Sequence, residues 1–422
     1  MARKIAMQSS LERSSEEEYR IVFPFVKRFY TEEEIATVIQ VMRNGVKQTQ
    51  DSYLEGFEKA FRNFTGANNA FGVNSCTSAL MLSAIFCHIK PGDEVIVPAY
   101  ASWASAIVFG NMGAQIVWGD IHPDTWTLDP KDVMKKITPK TKAVVAVHLA
   151  GNPCDIKEIV RIAHEQGVMV IEDCAHALDC RVDGQHAGTF GDFGCFSFHA
   201  SGMMTTLGEG GMFVCRDNNI AGFVGGIRCA GASISKNNYE ADLDGTEEIL
   251  EDCWPQHYCL GEAQCALGIE QLKLVPANGE LLIKQSHRIR EALGDISEFT
   301  FQAAFSGARY VPDPYILHYD GSAYSKNRED LLELLKTGYG MQAAVLFKPL
   351  YREKLFQVKG CDEQDCPVLE QWWKGSFALP WWSNMAEKDL EYICGALRGA
   401  AIELRSQKNV KIQSASERND KQ

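Results

Sequence analysis

Val168-Met169-Val170-Ile171-Glu172-Asp173-Cys174-Ala175-His176 decides the fold. Its apolar half shows no polar alternation, which is how a strand buried on both faces reads. Two carboxylates follow where the chain must leave the sheet. The same pattern repeats outward in both directions. GDEVIVPAY (92–100), AQIVWGD (114–120) and KAVVAVHLA (142–150) are β-branched runs, with helical stretches TSALMLSAIFCHI (77–89) and DIKEIVRIAHEQG (155–167) between them. FGCFSFHA (193–200) and GGMFVCRD (210–217) supply further strands. This alternation predicts an α/β fold with a mostly parallel sheet.

On either side of this block the signals change. Thr31-Glu32-Glu33-Glu34 is a capping box that starts a helix running to Gly45, and a second helix, SYLEGFEKAFRNF, ends at Gly66. From about residue 276 the pattern shifts to helices KQSHRIREAL, NREDLLELLKTG and AEKDLEYICGALRGAAIELR with strands between them. The expected organisation is a flexible segment over 1–25, a large cofactor-binding domain over 26–275, a small C-terminal α+β domain over 276–405 and a disordered tail over 406–422.

Composition excludes several classes. A net charge of −13 over 422 residues argues against nucleic acid, whose phosphates demand clustered Lys and Arg. No apolar run reaches membrane-spanning length, and the N-terminus lacks the apolar core of a signal peptide. The 14 cysteines lie scattered in apolar segments, the habit of buried thiols in a reducing compartment, so a cytoplasmic location is expected. Cys253, His257, Cys259 and Cys265 cluster in sequence but contain no C-x-x-C pair. Buried thiols are expected there, and no metal.

Ligands of such sheets sit beyond the carboxyl ends of the strands. Four segments fall there: Asn74 to Ser78, Pro98 to Trp103, Asp173 to His176 and Ser197 to Gly202. Asn74-Ser75-Cys76-Thr77-Ser78 opens a strong helix, where free N–H groups and the dipole favour an anion; a simple N-cap is the alternative. Asp173 either caps the next helix or presents a carboxylate to a ligand.

The segment Phe196-Ser197-Phe198-His199-Ala200-Ser201-Gly202-Met203-Met204-Thr205-Thr206-Leu207-Gly208-Glu209-Gly210-Gly211 resembles F-S-F-x-x-x-K-N-hydrophobic-T-x-x-G-E-G-G of the DegT/DnrJ/EryC1/StrS aminotransferases. Glu172-Asp173-Cys174-Ala175-His176 matches that family's E-D-x-A-[QH], and Val147 to Pro153, Gln264 to Leu272 and Ala378-Leu379-Pro380 follow in the right order. The resemblance covers about residues 22 to 402 and implies a fold-type I transferase binding pyridoxal phosphate (PLP) or pyridoxamine phosphate (PMP). It implies a dimer, a keto-sugar or cyclitol substrate, and an amino donor if the chain is active.

The same resemblance assigns roles. Asp173 would keep the pyridine nitrogen protonated, and His176 would lie near the phenolic oxygen. Cys76, Thr77, Ser78 and Ser197 would hold the phosphate, with Cys76 where glycine is usual. Ser102 falls where the family stacks an aromatic ring on the cofactor; Trp103, the next residue, either takes that place or belongs to the core. His257 would replace the asparagine that reaches the cofactor phosphate of the partner subunit.

Four departures stand out. Gly202 replaces the lysine that bonds the cofactor and shuttles protons. Met203 replaces asparagine, Cys259 replaces arginine, and Leu346-Phe347 replaces His-Tyr. One engineered Lys→Gly change would not explain these neighbours, which favours natural divergence. Three outcomes remain open. The chain is an enzyme that holds PLP or PMP without a covalent bond, with His176 as base, or a silent subunit pairing with an active paralogue. Otherwise it is an ordinary aminotransferase with an engineered glycine. His199, Lys236 and Lys348 are expected to be scaffold or surface.

Overall fold

A computed structural model describes residues 21–22, 30–44, 52–229, 251, 254–362 and 365–419, with side chains described for 30 through 407 of these. The seven-stranded sheet contains β1 (Asn69–Val73), β2 (Glu94–Pro98), β3 (Gln115–Gly119), β4 (Thr141–Val147), β5 (Met169–Asp173), β6 (Phe193–Ser197) and β7 (Gly211–Cys215). Its order is β1-β7-β6-β5-β4-β2-β3. Only β7 runs against its neighbours. The link from β6 to β7 forms no helix to carry the chain across the sheet, and the chain returns antiparallel. Six strands follow the apolar runs of the sequence. β1 is the addition: Asn69 and Gly72 dilute its strand signal, and pairing with β7 supplies what propensity lacks.

Helices α1 (Glu32–Asn44) and α2 (Tyr53–Thr65) form where their caps predict. Thr31 Oγ1 accepts from Glu34 N–H at 3.2 Å, and Glu34 returns its carboxylate to Thr31 N–H at 2.7 Å. Gly66 ends α2 in the left-handed region at φ 77°. The predicted stop at Gly45, and the segment 1–20, lie outside the described residues. Along the strands, odd and even positions separate cleanly. Val95, Val97, Val145 and Ile171 pack under α3 (Cys76–Phe86) and α4 (Ala104–Asn111). Ile96, Val144 and Val170 pack on the other face, against α5 (Pro130–Lys136) and α6 (Ile156–Glu165).

After α7 (Asn218–Arg228), the 32-residue helix α8 (Glu262–Leu293) carries Pro276 inside it. The expected domain boundary at 276 therefore falls within one continuous rod about 48 Å long. Beyond it, strands Phe299–Phe301, Ile316–Tyr319 and Ser376–Ala378 form a small antiparallel sheet. The last helix, Glu387–Asn419, runs past residue 405 into the stretch expected to be disordered. Residues 406–419 contain neither Gly nor Pro, so nothing in that stretch stops propagation.

One buried acid ties the sheet to its loops. The Glu172 side chain is fully buried and accepts N–H groups from Gly188, Phe190 and Gly191, each at 2.7 Å. The Cys154 N–H donates to His148 Nδ1 at 3.0 Å, which leaves the His148 proton on Nε2, directed at Glu172 Oε2 at 2.9 Å. Four donors thus satisfy one carboxylate with no water required. Replacing Glu172 by Gln turns an amino group toward these donors. Denaturant titration of the Glu172→Gln variant is expected to show a loss of about 2–4 kcal/mol; an unchanged midpoint contradicts this role.

Candidate functional site

Asp173 follows Glu172, so strand alternation turns it to the opposite face, under α3 and α4. Its carboxylate is buried and held by the protein. Ser105 Oγ donates to Oδ2 at 2.7 Å, Ala175 N–H donates to Oδ1 at 3.0 Å, and the Cys76 thiol approaches Oδ1 at 3.8 Å. Oδ1 thus carries two donors, whereas Oδ2, with Ser105 alone, retains a lone pair for a further donor. Burial, and then the neighbouring Asp173 charge, push the Cys76 thiol well above its ordinary range, so it remains a neutral donor. Ser105 is the residue that the sequence reading missed. A buried hydroxyl in the otherwise apolar stretch Ala104 to Gly110 was its one signal.

The turn at the start of α3 lies beside β7. Ser75 is the N-cap and accepts from Ser78 N–H at 3.1 Å. The Ser78 hydroxyl donates to Asn74 Oδ1 at 2.5 Å, so its proton is committed within the turn rather than free for an anion. Thr77 is exposed. A Cβ at Gly211 would fall 2.5 Å from Ser75 C and 2.7 Å from Cys76 N. Only glycine lets β7 back so closely onto this helix start. Ser197 sits opposite Gly211 in the ladder, which brings its half-buried hydroxyl to the same corner. Cys76, Asp173 and Ser197 are thus gathered at one helix N-terminus.

His176 stacks on Phe347 with ring centroids 5.9 Å apart and planes 11° from parallel. Phe347 in turn meets Tyr100 edge-on at 5.6 Å. The His176 Nδ1 atom is buried and, among the described residues, has no hydrogen-bond partner. Burial lowers the pKa of this ring, and the nearby Asp173 carboxylate only partly offsets it. A ring with an orphaned nitrogen, neutral at neutral pH, is a competent proton acceptor. Trp103 is 47% exposed at the start of α4, which rules out the core reading. No hydrogen bond or ring contact joins Trp103 or His257 to Asp173 among the described residues.

Gly202 is half-buried and lies outside the left-handed region. A Cβ placed there would meet only His199 O at 3.5 Å and Met204 O at 3.6 Å, ordinary contacts. The backbone therefore does not demand glycine, and a side chain can start from this position without a clash at Cβ. His199 is exposed, bonded to Ser201 Oγ at 2.8 Å, and Lys348 is exposed. Lys236 and Cys253 lie outside the described residues. His257 is exposed, bridged to Cys229, and Cys259 contacts Cys229 rather than Cys265. Among the described residues no group of His, Cys, Asp and Glu could hold a metal ion, and no helix is long and apolar enough to cross a membrane.

The donor set fits a PLP-type group. The Gly211 cradle and the α3 amides suit a phosphate, Asp173 suits a protonated ring nitrogen, and the His176 orphan faces a missing partner. Because burial depresses the His176 pKa, its neutral ring supports the fold above the ordinary histidine range, and that contribution is lost on acidification. An NMR titration of His176 is expected to give a midpoint below the ordinary 6.5. Asp173→Asn should lower it further, since the carboxylate is the group that favours protonation. An upward move in Asp173→Asn contradicts this electrostatic account.

Comparison with known proteins agrees with this geometry. The model of the DegT/DnrJ/EryC1/StrS aminotransferase family matches residues 29–398. The spore coat polysaccharide biosynthesis protein SpsC of Bacillus subtilis is 30% identical over 89% of this chain and 96% of its own length. GDP-perosamine synthase of Caulobacter vibrioides is 30% identical over 82% of this chain and 89% of its own. The crystal structure of S. venezuelae DesV in complex with a ketimine intermediate superposes with a TM-score of 0.80 at 26% identity, covering 90% of this chain and 98% of that one. Its large mixed sheet and helices are those of fold type I, and the chain belongs to the DegT/DnrJ/EryC1/StrS aminotransferase family.

Proposed function

We propose that this chain binds PLP or PMP without a covalent bond and acts on a keto-sugar or cyclitol in amino-sugar biosynthesis, with His176 moving the proton. The observation that carries the proposal is the buried Asp173 carboxylate, fixed by Ser105, Ala175 and Cys76, beside the unpartnered His176 Nδ1. A scaffold would have little use for either. When bound, the cofactor supplies an electron sink for carbon–hydrogen or carbon–nitrogen chemistry at the sugar.

The chain's own residues do the rest. The N–H groups of Cys76 and Thr77, with the hydroxyls of Thr77 and Ser197, bind the phosphate. Asp173 keeps a ring N–H in place through a charge-assisted hydrogen bond. Tyr100, Phe347 and Trp372 form an edge-to-face stack that holds the Phe347 ring over His176, so the base is oriented before substrate arrives. Trp103, exposed at the start of α4, is the residue proposed to offer its indole face to a planar ligand. The proposed assembly is a dimer, in which His257 of each chain serves the neighbouring pocket.

A second reading follows from Gly202 itself. With no amine at that position, the chain would be a silent subunit that lends surface to an active paralogue. Absorbance titrations with PLP and PMP separate the two. Saturable binding is expected for the wild type, weakened on the order of tenfold or more by Asp173→Ala. No binding of either cofactor would overturn the enzyme proposal and favour the silent subunit.

Restoring the amine is a further test. Because Cβ meets only ordinary contacts at Gly202, Gly202→Lys should fold normally and should capture PLP covalently, read as a new absorbance band. A folded variant that fails to capture PLP would show that the pocket has lost the lysine geometry as well as the lysine.

A further inference from the structure

Cys229 and Cys259 stand 30 residues apart in sequence, yet their Sγ atoms are 2.7 Å apart. Elsewhere Cys154 and Cys180 turn their thiols to backbone carbonyls, Cys195 to the Ser83 hydroxyl and Cys76 to the Asp173 carboxylate, and all described cysteines are free thiols. The two thiols meet because a short connector crosses between two elements. Gln256 N–H donates to Ile227 O at 2.7 Å and Tyr258 N–H donates to Arg228 O at 2.8 Å, which lays the connector along the end of α7. On its other edge, Asn74 N–H donates to Tyr258 O at 2.8 Å, and Val73 bridges Cys259. Segment 256–259 thus joins α7 to the turn that precedes α3, and it carries His257 opposite Cys229.

From this geometry we infer that Cys229 and Cys259 form an oxidisable pair, converted to an intramolecular disulfide by a low-molecular-weight disulfide, and that the crosslink clamps the connector to α7. Cys259 is the attacking group. It is only half-buried, whereas Cys229 is buried. The hydrogen bond from Cys229, and then the Arg228 and His257 charges, hold its thiol down at about 6 against the opposing effect of burial. Cys229, as the donor of that hydrogen bond, is held up. A thiolate poised near neutral pH beside a second thiol is the arrangement that exchanges fastest.

The chemistry balances without a metal or a redox cofactor. The Cys259 thiolate attacks one sulfur of the small disulfide, forming a mixed disulfide and releasing one thiolate. Cys229 then passes its proton to that thiolate and attacks Cys259 Sγ, expelling the second small group as a thiolate, which takes up from water the proton that Cys259 released on ionising. Two protein thiols are oxidised, and one small disulfide is reduced to two thiols. The sulfurs already touch, so closure needs only a small approach to bonding distance.

The test uses the full-length protein and oxidised glutathione as the probe. Thiol titration should show the loss of two free thiols, and peptide mass mapping should find Cys229 linked to Cys259, reversed by a dithiol reductant. Cys259→Ser and Cys229→Ser should each abolish that link while the wild-type map stands as its own control. Amide hydrogen exchange at Tyr258 and Asn74 should slow on the order of tenfold in the oxidised protein, because the clamp suppresses local opening. Two results overturn the inference. One is a pair that stays reduced while glutathione accumulates on other cysteines. The other is a crosslink that leaves exchange at both amides unchanged.

Discussion

Two successive acids at the end of one strand organise this molecule. Strand geometry sends Glu172 to one face of the sheet and Asp173 to the other. Glu172 gathers three loop amides and the His148 imidazole, fixing the segment 188–191 beneath β5 and β6. Asp173 is then held in place from behind and receives Ser105, Ala175 and the Cys76 thiol from the front. A buried carboxylate is costly unless every lone pair that matters finds a donor. Here that demand is met separately on each face, by donors the protein itself supplies.

The fold was largely legible because it rests on period and burial. Near-continuous apolar runs gave six of the seven strands, and capping chemistry at Thr31 and Gly66 set helix ends that the structure reproduces. What escaped depends on tertiary context. β1 needs β7 for its definition. The change of pattern near residue 276 set the expected domain boundary, but α8 runs through it and packs against α1, α2 and the last helix. The final helix outran its expected end because polar, good helix-forming residues look the same in a tail and in a helix.

The site was legible in part. Asp173 came from its position after a buried strand and His176 from the family resemblance, and their surroundings hold an acid supplied with donors and, among the described residues, an imidazole nitrogen left without a partner. Ser105 did not stand out and Phe347 did so only as a departure from the family pattern, because the contacts of Ser105, Tyr100 and Phe347 exist only once α4 and the C-terminal part meet the sheet. Ser78 looked like a free anion donor, yet the hydroxyl turns back to Asn74. Trp103 looked equally suited to the core, and its exposure decides against that. Gly202 is the most telling position. Its backbone conformation and the space for a Cβ do not require glycine, so the fold alone does not account for it.

The central claim is therefore a pocket of this family that holds its cofactor by hydrogen bonds and charge alone. The most direct measurement is borohydride treatment of the protein saturated with PLP, followed by intact-mass and peptide mass spectrometry. The account predicts that the cofactor is retained by the folded protein but released on denaturation, with no pyridoxyl group fixed to any peptide. A stoichiometric pyridoxyl adduct on a lysine, Lys348 or any other, would contradict it and would identify a substitute for the amine that Gly202 lacks.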